Sequence, residues 1–369
     1  MSAQRGSWKR GAATGRLLVD LDALARNYRK LCATASPAEC AAVVKADAYG
    51  LGVAPVVRSL ARAGCRSFFV ATVAEGCELR GLEPDAVIYV FGGATPEDTA
   101  TLVDAELVPV LNSYAQVECW ARAGGRAPAA LHIDTGMSRL GLSAREVEQL
   151  AGDTALLERL DVTLVMTHFA CADQAEHEMN REQLVRFEQL RRRLPRARTS
   201  IAGSAGIFID AAHRGDVVRP GIALYGGNPF TGRDNPMEPV ASLHGQILQL
   251  REIDEACTVG YGATYAVTPP ARIAVVGVGY ADGYPRCLGN RAVAALGGVR
   301  VPVIGRVSMD LLCVDVSGIA PERVRVGGWV ELFGAVVTLD EIAEAAGTIS
   351  YEILAGLGSR LEREYVEQA

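Results

Sequence analysis

The chain has 369 residues, 49% hydrophobic and 22% charged, which excludes both a single small fold and a disordered chain. Its formal net charge of −6, from 37 basic and 43 acidic residues, argues against a nucleic-acid surface driven by bulk charge and points to small-molecule or protein partners. No apolar stretch approaches the roughly 20 residues that span a bilayer, and the polar start MSAQRGSWKRGAATG has no leader-like apolar core, so residues 1–14 read as a flexible tail on a cytoplasmic protein.

Nine cysteines without CxxC pairs suit reduced, packing thiols rather than a disulfide framework. Only Lys9, Lys30 and Lys45 are lysines, the remaining basic residues being arginine, which makes the setting of each lysine informative.

In chain order, LLVDLDAL (17–24) opens the ordered part, and a helical pattern follows to Leu31. Eight short apolar runs come next: 41–46, 67–72, 86–91, 107–112, 130–134, 162–169, 199–204 and 217–226. Between several of them lie amphipathic stretches such as VAPVVRSLARAG and EMNREQLVRFEQLRRRL, with apolar residues three and four apart. Continuous apolar strands alternating with helices predict a parallel sheet, and eight units are the count of a closed (β/α)8 barrel. An open doubly wound sheet is the alternative.

Residues 228–241 turn to Pro, Gly, Asn and Asp, the composition of a linker. Beyond them the runs are β-rich and broken by glycines, with one short helix pattern, DEIAEAAG. The expected organisation is therefore a tail over 1–14, a barrel over 15–236 and a C-terminal β domain over 237–369.

Lys45 ends the buried-strand pattern AAVV and meets a glycine-bearing turn, so a barrel would place its amine at the carboxyl end of a strand, where barrel active sites form. Desolvation there lowers an amine's pKa and frees it for Schiff-base chemistry, although an isolated lysine at a strand end more often simply reaches solvent. Asp134 with Arg139, His168, Ser204 and Arg219 stand at the ends of four later strands. Each alone has an ordinary explanation as a cap, a solvated charge or a core histidine; together they form a ring. Ser204 before small residues and the Arg219–Ile222 turn could offer hydroxyl and backbone N–H groups to a phosphate.

The stretch AVVKADAYGLG closely resembles the pyridoxal-phosphate attachment motif of alanine racemases, and DTGMSRLG, THFA, VRPGIALYG, VGYGATY, GYADGYPR, GRVSMD and TISYEIL follow in the family's order. The resemblance covers roughly residues 15–366. It implies a pyridoxal 5'-phosphate (β/α)8 barrel followed by a β domain, a small amino-acid substrate, and a homodimer whose active sites are shared between subunits.

By the same resemblance Lys45 would carry the cofactor as a Schiff base and act as one acid/base group, with Tyr261 from the second subunit as the other. Two bases on opposite faces let a planar carbanion lose a proton on one side and regain it on the other. His168 and Arg219 would help a phenol of ordinarily high pKa to act as a base, and Arg219 would also face the pyridine nitrogen. Tyr49, Ser204, Gly221, Ile222 and Tyr351 would cradle the phosphate. Arg139 and the Met309 N–H would position substrate carboxylate and cofactor, with Asp310 orienting that pocket.

Three positions depart from the family's pattern. His132 stands where many members carry a carbamylated lysine that anchors the neighbouring arginine; a hydrogen bond to Arg139 or a bound anion would fill the gap. Ser200 and Gly203 stand where a histidine and an asparagine are frequent. The basic run RRRLPRAR (191–198) reads as a helix end, and His168 with Cys171 lacks the second pair that zinc needs.

The expected activity is interconversion of L- and D-alanine, supplying D-alanine for peptidoglycan. The rivals are a serine or broad-spectrum racemase, a non-catalytic pyridoxal-phosphate carrier, for which an opposite-face base would be superfluous, and a decarboxylase, for which Cys257, Cys287 and Cys313 lack a recognisable motif.

Overall fold

The computed structural model describes residues 13–123 and 126–367, which fall into two compact units, Asp20–Val240 and the segment Ala241–Val366 with residues 13–19.

The first unit opens on the helix Leu21–Ala35, capped by Asp20, whose carboxylate accepts the Ala23 N–H at 2.8 Å. With the initial strand β1 (Gly15–Asp20) counted, the parallel strands are β2 (Glu39–Cys40), β3 (Ala42–Val43), β4 (Ser67–Val70), β5 (Val87–Val90), β6 (Val108–Leu111), β7 (Pro128–His132), β8 (Asp161–Met166), β9 (Arg198–Ser200) and β10 (Val217–Val218). Neighbours from β3 to β9 pair in parallel, as in Ala42 with Phe68, Phe69 with Tyr89 and Leu131 with Val165.

β10 pairs with β2 through Val217–Glu39 and Val218–Cys40, while the Arg219 N–H reaches the Ala202 carbonyl at 2.9 Å. These bonds close the ring. Taking β2 and β3 as one strand interrupted at Ala41, the unit is an eight-stranded parallel barrel, matching the eight apolar runs. SFFV and VPVL are buried at every position because a barrel strand is covered on both faces.

The helices between strands are cut to length by caps. Thr72 with Glu75 and Ser143 with Glu146 form capping boxes. Arg80 ties two loops at the far end by donating to the carbonyls of Ala86 (2.8 Å), Ala105 (2.9 Å) and Glu106 (2.9 Å). The basic run behaves as a helix end: Arg191, Arg193 and Arg198 pair with Glu188, Glu148 and Glu39.

The second unit is antiparallel. Its strands are β11 (Ala241–Ile253), β12 (Cys257–Val259), β13 (Tyr265–Val267), β14 (Ala271–Val276), β15 (Val293–Leu296), β16 (Val299–Ile304), β17 (Leu312–Asp315), β18 (Trp329–Phe333) and β19 (Glu362–Val366). The order β14-β17-β16-β15-β18-β11 closes because β11 also pairs with β14, and β1 and β19 extend the sheet beyond β11. DEIAEAAG forms the helix Leu339–Ala346, started by a Thr338–Glu341 capping box and stopped by Gly347 at φ 73°. A second helix, Ser350–Ala355, follows where the β-rich reading expected none.

β1 corrects the expected boundary at residue 15. Gly15 pairs with Gly245 and Leu17 with Leu243, so this strand belongs to the second unit. Its burial alternates residue by residue, the mark of an antiparallel strand covered on one face, unlike the barrel strands. The expected tail at 1–14 lies outside the described residues up to residue 12. Thr14 is already tied down, its hydroxyl donating to the Gly277 carbonyl at 2.7 Å.

Candidate active site

The carboxyl ends of the barrel strands carry the predicted residues. Lys45 follows β3 and begins a turn in which Ala46, Asp47, Ala48 and Tyr49 all have left-handed backbone, with φ of 54°, 53°, 52° and 58°. Left-handed helix costs an L-residue about 1–2 kcal/mol, so this turn is held by specific bonds. Glu75 Oε1 accepts the Ala46 N–H at 2.8 Å, Asp47 Oδ1 accepts the Val53 N–H at 2.6 Å, and the Gly50 N–H returns to the Ala46 carbonyl at 2.8 Å. Strain of this kind is typical of functional sites. Burial, reinforced by the charge of Arg139, holds the Lys45 amine below the usual lysine range, and Glu75 opposes the shift. The Lys45 ammonium lies 5.7 Å from the centre of the Phe91 ring.

Beyond β9 and β10 a second group assembles. The buried Ser204 Oγ accepts the N–H groups of Gly221 at 2.9 Å and Ala223 at 3.3 Å. Its own proton is thereby left to donate. The Gly221 N–H, expected to face a ligand, is instead taken by Ser204, and the Ile222 N–H has no acceptor among the described residues. A Cβ at Gly221 would lie 2.2 Å from the Tyr49 hydroxyl, so only glycine permits this approach. Tyr49 is itself packed on Tyr225, ring centres 4.6 Å apart, and the Tyr225 hydroxyl donates to the Val43 carbonyl at 2.9 Å.

Arg219 is buried, and its guanidinium donates to Ser200 Oγ, to the Thr167 carbonyl at 2.7 Å and to the Ile201 carbonyl at 3.3 Å. Burial pushes its pKa down to about 9, so it remains charged at neutral pH. It also donates to His168 Nδ1 at 3.2 Å. Arginine has no acceptor, so His168 must accept at Nδ1 and carry its proton on Nε2. Burial and the Arg219 charge push the His168 pKa down to about 3, keeping the ring neutral.

Two of the departures acquire roles here. Ser200, which also donates to the Val217 carbonyl at 2.5 Å, fixes Arg219. Gly203 leaves room for His168, since a Cβ there would lie 3.1 Å from the ring.

At the third departure, the bond of His132 runs to Asn112 Oδ1, 2.8 Å from Nδ1, rather than to Arg139. Both amide protons of Asn112 are spent on the Phe91 and Val110 carbonyls, at 2.9 and 2.7 Å. Oδ1 can therefore only accept, His132 Nδ1 must hold the proton, and Nε2 is an acceptor. Burial and the charge of Arg219 push the His132 pKa down to about 4. Asp134 is a turn cap: its Oδ1 accepts the N–H groups of Gly136, Met137 and Ser138, folding the loop that ends at the exposed Arg139.

The remaining predicted residues sit in the second unit. Tyr261 is 69% exposed, in a turn whose Gly260 and Gly262 have φ of 72° and 74°. Met309 is 53% exposed. Its carbonyl accepts the Ala281 N–H at 3.0 Å, which zips the 279–283 and 308–310 loops together. Gly279 is obligatory in that zipper because a Cβ would fall 2.4 Å from the Ser308 and Met309 carbonyls. Asp310 is held by Arg360 at 2.7 Å, and the same guanidinium makes a two-pronged bond to the buried Asp282 at 2.8 and 2.9 Å. Tyr351 stands half-exposed on the helix Ser350–Ala355.

Sequence reasoning missed Glu75, Asn112, Thr167 and Tyr225. Only Glu75 left a signal, the T-x-x-E capping box over 72–75. Among the described residues no cluster of three or more His, Cys, Asp or Glu could hold a metal, and no helix is long and apolar enough to cross a membrane.

Comparison with known proteins agrees with this arrangement. The alanine racemase N-terminal domain family matches residues 19–229 and the alanine racemase C-terminal domain family residues 240–365. The alanine racemase of Rhodospirillum rubrum is 49% identical, covering 96% of each chain, and a catabolic alanine racemase of Mesorhizobium japonicum is 47% identical, covering 96% of this chain and 94% of that one. Among solved structures, the alanine racemase of Bartonella henselae with covalently bound pyridoxal phosphate superposes with a TM-score of 0.92 at 36% identity, over 96% of this chain and all of that one. The biosynthetic enzyme of Pseudomonas aeruginosa gives 0.90 at 36%, with the same coverage. With both halves matched and near-complete coverage at up to 49% identity, the chain belongs to the alanine racemase family.

Proposed function

We propose that this enzyme interconverts L- and D-alanine with pyridoxal 5'-phosphate, and that it does so as a homodimer in the cytoplasm. The observation that carries the reading is Lys45: a partly buried amine held below its usual pKa at a strand's carboxyl end, within the same ring of strand ends as a Ser204–Gly221–Ile222 turn.

The residues present fit that cofactor. The Ser204 hydroxyl proton, the Ile222 N–H and the space Gly221 leaves beside the Tyr49 hydroxyl suit a phosphate. Lys45 would hold the aldehyde carbon, and the charged Arg219 would face the ring nitrogen, keeping it unprotonated. When bound, the cofactor acidifies the Cα–H of an attached amino acid.

The chain's own residues then move the proton. The Lys45 amine serves one face of Cα and the Tyr261 phenol, from a second copy, serves the other; removal by one and return by the other inverts the centre. The neutral His168 offers its Nε2–H to the Tyr261 oxygen, stabilising the phenolate form while Arg219 fixes the ring. Arg139 would hold the substrate carboxylate together with the Met309 N–H of the second copy, whose loop Asp310 steadies through Arg360. The exposed Tyr261, Tyr280, Met309 and Leu311 of the second unit support burial against a partner. Nine free cysteines accord with a reducing compartment.

The test is incubation of the cofactor-loaded protein with L-alanine, L-serine and L-arginine, the enantiomers being separated by chiral chromatography. D-alanine forming fastest supports the reading, whereas turnover of the others alone moves the substrate. Retention of racemisation by Lys45→Ala would sink the mechanism. A supply role for peptidoglycan predicts that loss of the protein makes growth depend on added D-alanine.

A further inference from the structure

Glu75 is the third residue of the helix Val73–Leu82, where a carboxylate normally caps its own helix. Its bond to the Thr72 N–H is 3.2 Å, but its shorter bonds go elsewhere: Oε2 accepts the Ala71 N–H at 2.7 Å and Oε1 accepts the Ala46 N–H at 2.8 Å. One carboxylate thus joins the exits of β3 and β4. The Ala46 N–H belongs to the peptide formed by the Lys45 carbonyl, so holding it sets the ψ of Lys45 and the direction of its side chain. Ala46 is also the first of the left-handed residues, which would gain by relaxing to ordinary conformations if released.

We propose that Glu75 is a positioning residue for Lys45, clamping the Ala46 peptide so that the strained turn keeps the amine aimed into the ring of strand ends. The charge of Glu75 also partly offsets the depression of the Lys45 pKa by burial. The inference rests on Lys45 being the cofactor-bearing lysine.

The barrel supplies its own control. Glu146, also at the third position of a capped helix, bridges to the Tyr114 N–H at 3.0 Å. That bridge serves no left-handed turn and no lysine.

The experiment treats the full-length protein with pyridoxal phosphate and cyanoborohydride at neutral pH and measures, by peptide mass spectrometry, the ratio of pyridoxyl-Lys45 to pyridoxyl-Lys30. Lys30, on an exposed face of the first helix, is the internal reference. Glu75→Asp keeps the charge and a capping oxygen but shortens the reach, and is expected to lower the ratio about tenfold, because misplacing a reacting group by an ångström is costly. Glu146→Asp is expected to leave the ratio within about twofold while lowering the melting temperature comparably. Glu75→Gln, which keeps the length but loses one acceptor, gives a second reading, with a fall of about threefold expected since one of the two bridges must break.

An unchanged ratio in the Glu75 variants, or an equal fall in Glu146→Asp, overturns the proposal. Absence of the Lys45 adduct in the unsubstituted protein would instead refute the assignment of Lys45.

Discussion

Two partly buried histidines held neutral make the stability of this protein sensitive to mild acid. In the folded chain the pKa of His132 is pushed down to about 4 and that of His168 to about 3, mainly by burial, against an ordinary value near 6.5 in the unfolded chain. Between these values the unfolded state binds two protons that the folded state refuses. Stability is therefore fully present above pH ~6.5 and is lost as pH falls toward 4, at about 1.4 kcal/mol per pH unit for each histidine, or about 2.7 together. The perturbation is replacement of each by glutamine, which does not titrate. Urea denaturation of the full-length protein at intervals across this pH range should give a slope of unfolding free energy against pH that is shallower by about 1.4 kcal/mol per unit in either single variant. The difference in slope is independent of any pH-invariant cost of the substitution, and carboxylate contributions cancel in the comparison. Slopes identical to that of the unsubstituted protein would refute the argument, since they would mean that these histidines titrate alike in both states.

Ser200→Ala leaves one Arg219 N–H without its buried acceptor and should cost about 1–3 kcal/mol, read as a fall in melting temperature of several degrees. Gly221→Ala places a methyl group against the Tyr49 hydroxyl and should weaken pyridoxal-phosphate binding more than it lowers stability, as a cofactor titration would show. Lys45→Ala and Tyr261→Phe variants should each be inactive, yet should recover racemisation when mixed and allowed to exchange subunits, because one mixed site then has both groups. Failure to recover would place both groups in the same chain.

Much of this protein could be read from its residues. The eight apolar runs each became a barrel strand because a strand covered on both faces must be apolar throughout, and that pattern survives in one dimension. Lys45, Ser204 and Arg219 were visible as polar residues ending apolar strands. β1 was misplaced because its partner, β11, lies over two hundred residues away, and local pattern carries no record of pairing.

The sequence by itself determined the fold class and the family, since these depend on residue type, periodicity and motif. Only the tertiary structure decided the protonation and aim of the site. That Asn112 forces the proton of His132 onto Nδ1, that Arg219 forces that of His168 onto Nε2, and that Glu75 holds the peptide beside Lys45 all follow from donors and acceptors meeting across strand ends 20 to 51 residues apart. Hydrogen-bond satisfaction and desolvation are properties of a closed ring of strands, and no single segment of the chain contains them.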